Sequence, residues 1–164
     1  MSPVVADGLR VRVSSATPLS VWLPSDWEVV DGQLFELLAL GPPEAEDPYR
    51  ANVSIVHASI DGAPSLEAIA EGTARKQAEQ LETFVEYERR PTVLAGLPAV
   101  QREYGWVQGG TGLVLYQVEV LALPAEGDRA RMLEVHATSA APAYFRYAAL
   151  LRHIIESIEP AREA

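Results

Sequence analysis

Residues 99–139 read AVQREYGWVQ GGTG LVLYQVEVLAL PAEGDRA RMLEVHATS, and this stretch decides the fold. Three of its segments, 99–108, 113–123 and 131–139, alternate apolar and polar residues with the period of two that is typical of half-buried strands. The glycines of 109–112 suit a hairpin turn because glycine tolerates positive φ, and residues 124–128 supply a second short connection. Short connections between strands predict an antiparallel meander.

Helices are predicted on both sides of this meander. Upstream, Ser65 is a good N-cap, and a stripe of residues at spacings of three and four follows it: Leu66, Ile69, Ala70, Thr73, Gln77, Leu81 and Phe84. Pro91 and Gly96 bracket the connection from this helix to the meander. Downstream, Pro142 suits the first turn of a second helix, which Pro160 ends.

The remaining strands lie nearer the amino terminus, where residues 8–14 and 51–60 also alternate. Strands, helix, strands and helix in this order predict an α+β fold, with an antiparallel β-sheet flanked by two main helices. The length predicts a single domain over residues 1–164, with 1–7 and 160–164 as flexible tails.

Composition excludes several classes of function. The chain has no cysteine, which removes disulfides, thiolate nucleophiles and cysteine-type zinc sites. Its 13 basic and 23 acidic residues give a net charge of −10, which repels a phosphate backbone, so nucleic acid is not an expected partner. No apolar run approaches the ~20 residues that span a bilayer. The amino terminus lacks the features of a secretory signal, and a cytoplasmic protein is expected.

Polar residues recur at two-residue spacing along the meander and are predicted to share one face of the sheet: Gln101, Glu103, Gln117, Glu119, Glu134, His136 and Thr138. The opposite face is the one that the helices are expected to cover. The polar face would meet water or bind a partner. Acid–base chemistry at Glu119, Glu134 and His136 ranks last, because the sequence has no nucleophile motif beside them.

Tyr104 and Trp106 form a second candidate site, an apolar ligand pocket close to the glycine-rich turn. The histidines His57, His136 and His153 have no recognised metal-ligand spacing. The glycine-rich segment precedes a strand and lacks the lysine of a phosphate-binding loop. The sequence therefore predicts no catalytic residues, no metal and no cofactor.

Residues 21–27, VWLPSDW, are similar to the apolar-Leu-Pro-x-x-Trp signature near the start of PsbP-like domains, a fold family that includes LpqN-type and DcrB-like bacterial proteins. Segments 51–55, 65–67, 94–99 and 144–158 follow in the order of the family's layout. Each motif is short, and their order carries the resemblance.

The resemblance implies an antiparallel sheet flanked by helices and a role in binding other proteins, since members mostly act as assembly factors, adaptors or chaperones. It carries over no catalytic residues, and the chain lacks the lipobox cysteine and signal peptide of the lipoprotein members. The leading hypothesis is a non-enzymatic adaptor or chaperone-like domain with a protein partner. The alternative is a small-molecule carrier with a pocket near Trp106, and the sequence leaves a homodimer open.

Overall fold

The described part of the chain contains ten β-strands, two α-helices and a short 3₁₀-helix at Ala141–Ala143 that leads into the second α-helix. The structure, a computed structural model, describes residues 7–13, 18–32, 34–45, 47–62, 64–123 and 131–162. The strands are β1 (Gly8–Val13), β2 (Leu19–Pro24), β3 (Glu28–Val29), β4 (Leu37–Leu40), β5 (Asn52–Ser59), β6 (Glu82–Leu94), β7 (Leu97–Val107), β8 (Val114–Ala122), β9 (Arg131–Ala140) and β10 (Glu159–Pro160). The helices are α1 (Leu66–Gln80) and α2 (Tyr144–Glu156).

The strands form two antiparallel sheets. The larger sheet has seven strands in the order β3-β4-β5-β9-β8-β7-β6, and the smaller has three in the order β1-β2-β10. The predicted α+β fold, an antiparallel sheet flanked by two main helices, is confirmed.

Each face of the large sheet is covered by one helix. One face packs against α2 and the small sheet, and its core residues include Val53, Val118, Val120, Val135, Leu151 and Ile154. The other face packs against α1 through a smaller cluster of Ala70, Val100, Leu121 and Met132. We call these the α2 face and the α1 face.

The end of α1 differs from the prediction. Ser65 caps the helix as expected, since its side chain accepts a hydrogen bond from the Ala68 N–H at 3.1 Å. The helix ends at Gln80, however, and β6 begins at Glu82, so the predictions of a helix up to Phe84 and of a connection around Pro91 are wrong. β-Branched and aromatic residues follow Leu81 and favour a strand. Pro91 is tolerated because β6 is an edge strand.

Tight turns set the order of the meander strands. β6 and β7 are joined by Ala95 and Gly96, both with positive φ (51° and 79°), as a two-residue hairpin of the primed type requires. The glycine-rich turn between β7 and β8 has positive φ at Gly110 and Gly112, as predicted. The predicted connection over 124–128 lies outside the described residues.

The first residues of the predicted carboxyl-terminal tail are held in the small sheet instead of being free. Pro160 pairs with Leu19 in the small sheet, and the Ala161 N–H donates a hydrogen bond to the Pro18 carbonyl at 2.9 Å. The chain is therefore held against β2 as far as Ala161. Residues 1–6 and 163–164 of the predicted tails lie outside the described residues.

Candidate functional site

The register of the meander divides the predicted polar face between the two sides of the sheet. Glu119 lies opposite Arg102 on β7 and opposite His136 on β9, and Gln117 lies opposite Tyr104 and Thr138. Directly paired residues point to the same side of a sheet, so these residues lie on the α1 face. Glu134, which pairs with Leu121, joins them there.

Gln101 and Glu103 lie on the α2 face instead. Gln101 pairs with Val120 and Glu103 with Val118, and both valines belong to the main core. The prediction that all seven polar residues share one face is therefore wrong for these two. The reason is that a shift of one residue along β7 moves every side chain to the other face.

The polar residues of the α1 face surround a buried arginine rather than water. Arg102 is 0% exposed, and Glu119 beside it is 1% exposed. The Arg102 guanidinium donates to the carboxylates of Glu119 (2.7 Å) and Glu86 (2.8 Å) and to the side-chain oxygen of Gln77 (2.8 Å). Since Gln77 belongs to α1, the helix covers this group of residues. The expectation of a solvated face is wrong at Glu119 and at Thr138, which is also buried.

The geometry of this cluster suits stabilisation better than acid–base chemistry. One Glu119 oxygen accepts a hydrogen bond from Arg102, and the other lies 4.0 Å from His136 Nε2. Burial lowers the pKa of His136, although the negative charge of Glu119 acts in the opposite direction. Burial raises the pKa of Glu134, and the negative charge of Glu119 raises it further. His136 is therefore neutral at neutral pH, and the Glu119 oxygen bonded to Arg102 is not open to a substrate.

Tyr104 is a packed ring and not an open pocket wall. It is buried, and its hydroxyl accepts hydrogen bonds from the side-chain amides of Gln77 (3.0 Å) and Gln117. The guanidinium of Arg102 lies 4.9 Å from the centre of the ring, and burial raises the tyrosine's pKa above its ordinary value. Trp106 is half-buried, with its ring 5.8 Å from that of Tyr104. A ligand pocket at Trp106 stays a prediction.

The α2 face carries a row of aromatic rings that continues from the sheet onto the start of α2. Tyr87 stacks on Tyr116 with ring centres 5.7 Å apart, Tyr116 packs on Tyr144 at 3.8 Å, and Tyr144 meets Phe145 at 6.3 Å. We call these four residues the aromatic surface. Its two ends are open to solvent, because Tyr87 is 61% exposed and Phe145 is 90% exposed.

Gly105 makes room for this row. A Cβ atom on Gly105 would lie in van der Waals contact with the Tyr87 ring at 3.4 Å. It would lie only 3.1 Å from the Leu115 carbonyl oxygen, which is tighter than most real Cβ contacts. Val85 pairs with Gly105 and is exposed, and exposed Val114 lies two residues before Tyr116 on the same side of β8. These aliphatic side chains extend the apolar surface along the sheet.

A buried carboxyl group lies next to the aromatic surface. Glu103 is 5% exposed, and one of its oxygens accepts a hydrogen bond from the Tyr116 hydroxyl at 3.2 Å. Its other oxygen has no hydrogen-bond partner among the described residues, and the nearest cation, Arg152, lies 3.9 Å away. Burial raises the pKa of Glu103, and the neighbouring carboxyl of Glu88 raises it further.

Sequence reasoning missed the aromatic surface. It named neither Tyr116 nor Tyr144 as part of a contact surface, and it did not predict β6, which carries Tyr87. Phe145 offered a signal, because it follows Tyr144 directly and therefore cannot lie on the same buried stripe of the helix. An exposed phenylalanine indicates a contact surface only together with neighbouring apolar side chains, and the sequence does not show that Tyr87 and Tyr116 lie beside it.

The histidines lie in three separate environments. His57 Nδ1 lies 2.6 Å from a Glu36 oxygen, His136 belongs to the Arg102 cluster, and the His153 ring meets Trp22 edge to face at 4.7 Å. Within the described ranges, no three His, Asp or Glu side chains are grouped as metal ligands would be. In the same ranges, neither helix has the length and apolar character needed to cross a bilayer.

Comparison with known proteins finds similar structures but no similar family model or curated sequence. No protein-family model matches the chain, and no curated protein matches it in sequence. Among solved structures, LpqN of Mycobacterium tuberculosis, described as involved in cell envelope biogenesis, is similar with a TM-score of 0.70 and 11% identity over 95% of this chain and 91% of LpqN.

Two further structures share the architecture. Cyanobacterial PsbP from Synechocystis gives a TM-score of 0.65 and 12% identity over 98% of this chain and 96% of that protein. The Ran-binding protein Mog1p of Saccharomyces cerevisiae gives 0.60 and 8% identity over 94% and 96%. At these identities the likeness concerns the fold alone. The chain has the PsbP-like fold, as the resemblance of its sequence predicts.

Proposed function

We propose that this chain is a non-enzymatic protein-binding domain, an adaptor or chaperone-like component that holds an apolar segment of a partner protein on the aromatic surface. The observation that carries the proposal is the exposure of Phe145 (90%) and Tyr87 (61%) at the two ends of one packed row of rings. A partner that removes such rings from water lowers the free energy of the complex.

The physical character of the surface supports protein binding. Tyrosine and other aromatic residues are enriched in protein interfaces, where they bring large contact area at low cost in side-chain entropy. Tyr116 and Tyr144 are fixed by mutual packing, which reduces the ordering that a partner must impose. The charged residues nearby include both signs, Glu88, Arg90 and Arg152, so the anchor is expected to be apolar rather than ionic.

A face is a better docking site here than an edge. β6 is the long edge strand, but it contains Pro91 and several charged side chains, which are the devices that block strand addition. The opposite edge strand, β3, has two residues. Both features support contact through side chains on the α2 face.

The structural relatives support a binding role by analogy of fold. Mog1p is described as Ran-binding, and LpqN is described as involved in cell envelope biogenesis. The proposal carries over no partner from these proteins, because their sequence identity to this chain, 8–11%, is too low. A cytoplasmic location belongs to the proposal and is checked by cell fractionation.

Affinity purification with matched variants tests the proposal. Phe145→Asp places a charge on the aromatic surface. Leu34→Asp is the control, because Leu34 is also highly exposed (86%) but precedes β4, which lies near the opposite edge of the large sheet from β6. We expect a partner recovered with wild type and with Leu34→Asp but reduced at least tenfold with Phe145→Asp. Equal recovery with both variants would refute the role of this surface. Sedimentation of the purified chain shows whether a second copy of the chain occupies the aromatic surface. In that case the surface is a homodimer interface and not an adaptor site.

A further inference from the structure

Glu88 and Glu103 are paired directly across β6 and β7, so both side chains lie on the α2 face. Like charges that face each other across an antiparallel pair destabilise a sheet. The Glu88 side chain is 47% exposed and stays in contact with water, whereas Glu103 is buried. If both carboxyl groups were ionised, one of the two charges would lie in the protein interior, next to the aromatic surface.

The hydrogen bonds of the Glu103 carboxyl group are incomplete without a proton. Tyr116 donates to one oxygen, and the other oxygen has no partner among the described residues. Arg152 lies 3.9 Å from that second oxygen, which is beyond hydrogen-bond distance. The neighbouring Glu88 carboxylate offers only acceptors. A proton on either carboxyl group supplies the missing donor and removes one of the two charges.

The charged and titratable groups that face the pair come from β6, β8 and α2, and they are Arg90, Tyr116, Tyr144 and Arg152. Tyr116 and Arg152 stabilise the ionised form of Glu103, whereas burial and the Glu88 carboxyl stabilise its protonated form. The second effect is the larger, because the pKa of Glu103 lies above its ordinary value.

We propose that Glu88 and Glu103 share one proton, and that this proton controls the charge next to the aromatic surface. An apolar segment that covers the rings removes further water from the carboxyl groups and thereby favours the protonated pair. Docking therefore takes up protons, and the partner binds more weakly as pH rises through the pKa of Glu103. The coupling to docking rests on the proposed function, whereas the shared proton does not.

Carboxyl-carbon NMR of the full chain, titrated between pH 3.5 and pH 9, measures the shared proton without a partner. We expect the Glu103 Cδ signal to titrate with a midpoint above 4.5. The Tyr116 ring and the Arg152 Nε signals should shift with the same midpoint, because both groups contact the ionised carboxylate more strongly. A Glu103 midpoint at or below 4.5 would overturn the proposal.

Three variants distinguish sharing of the proton from burial alone. Glu88→Gln removes the second charge and offers an N–H donor, so the Glu103 midpoint should fall toward 4.5. Arg152→Met removes the nearest cation and should raise the midpoint. Glu79→Gln removes an exposed carboxyl group of α1, which covers the opposite face, and should leave the midpoint unchanged. A midpoint that does not respond to Glu88→Gln would overturn the sharing.

The coupling to docking is measured with the partner recovered by affinity purification. We expect recovery with the wild-type chain to fall at least threefold from the acidic to the alkaline side of the Glu103 midpoint, and recovery with Glu103→Gln to be independent of pH. Equal recovery on both sides, or a dependence that persists in Glu103→Gln, would overturn the coupling. Recovery of no partner at any pH would refute the proposed function and the coupling with it, while the titration still decides the shared proton.

Discussion

Replacing Arg102 by methionine should destabilise the fold more than any other single change to a polar residue of the sheet. Arg102 and Glu119 are almost completely buried, and the guanidinium satisfies Glu119, Glu86 and Gln77 together. Methionine leaves Glu119 charged or protonated in a site with no compensating donor. Breaking a buried ion pair in this way costs about 3–5 kcal/mol. For a chain of this length that loss lowers Tm by roughly 6–20 °C.

The assay is urea unfolding followed by tryptophan fluorescence, with two companion variants. Arg102→Met together with Glu119→Leu removes both charges, and it should recover most of the loss because an apolar pair can replace a buried ion pair. Arg152→Met removes an exposed arginine 3.9 Å from Glu103 and should change stability by less than about 1 kcal/mol.

Two results would contradict this prediction. A loss below about 1.5 kcal/mol for Arg102→Met would mean that the buried pair contributes no more than an ordinary hydrogen bond. A double variant no more stable than the single one would mean that the uncompensated Glu119 is not the source of the loss.

Three other predictions follow from the α2 face and from α1. Glu103→Gln should raise Tm at pH 8 but not at pH 4. Burial and the neighbouring Glu88 raise the pKa of Glu103 in the folded state, so ionisation of Glu103 opposes folding above that raised pKa and has no effect below the ordinary pKa of 4.5. An equal change in Tm at both pH values would contradict this cause. Gly105→Ala should cost about 1–3 kcal/mol in urea unfolding, because the added Cβ would lie 3.1 Å from the Leu115 carbonyl oxygen and the backbone of β8 must shift. No loss of stability would show that the sheet accommodates the extra methyl group. Ser65→Ala should cost about 1 kcal/mol in urea unfolding by removing the cap of α1, and no change would mean that the cap is dispensable.

Much of the architecture could be predicted from local patterns. The meander strands alternate with a clear period, and α2 buries Tyr147, Leu151 and Ile154 at helical spacing. The strand β6 was missed because Phe84 continues the three- and four-residue spacing of α1 by coincidence. The β-branched and aromatic residues after Leu81 were the contrary signal.

The site was harder to predict because it depends on register. Moving β7 by one residue exchanges Gln101 and Glu103 for Arg102 and Tyr104, and the alternation of polar residues fits both choices. The opposite charges of Arg102 and Glu119 favoured the true register, but a single sequence does not show that the two residues pair. The aromatic surface depends on the same register and on where β6 lies, so it became visible only in the folded structure.

Site-specific photo-crosslinking shows whether the aromatic surface contacts a partner protein. A p-benzoylphenylalanine is placed at position 145 or at position 34 and irradiated in cells of the source organism. Both positions are exposed, at 90% and 86%, so accessibility alone does not separate them. We expect one reproducible protein adduct at position 145 and none at position 34. Adducts of equal yield at the two positions, or none at position 145, would contradict this prediction.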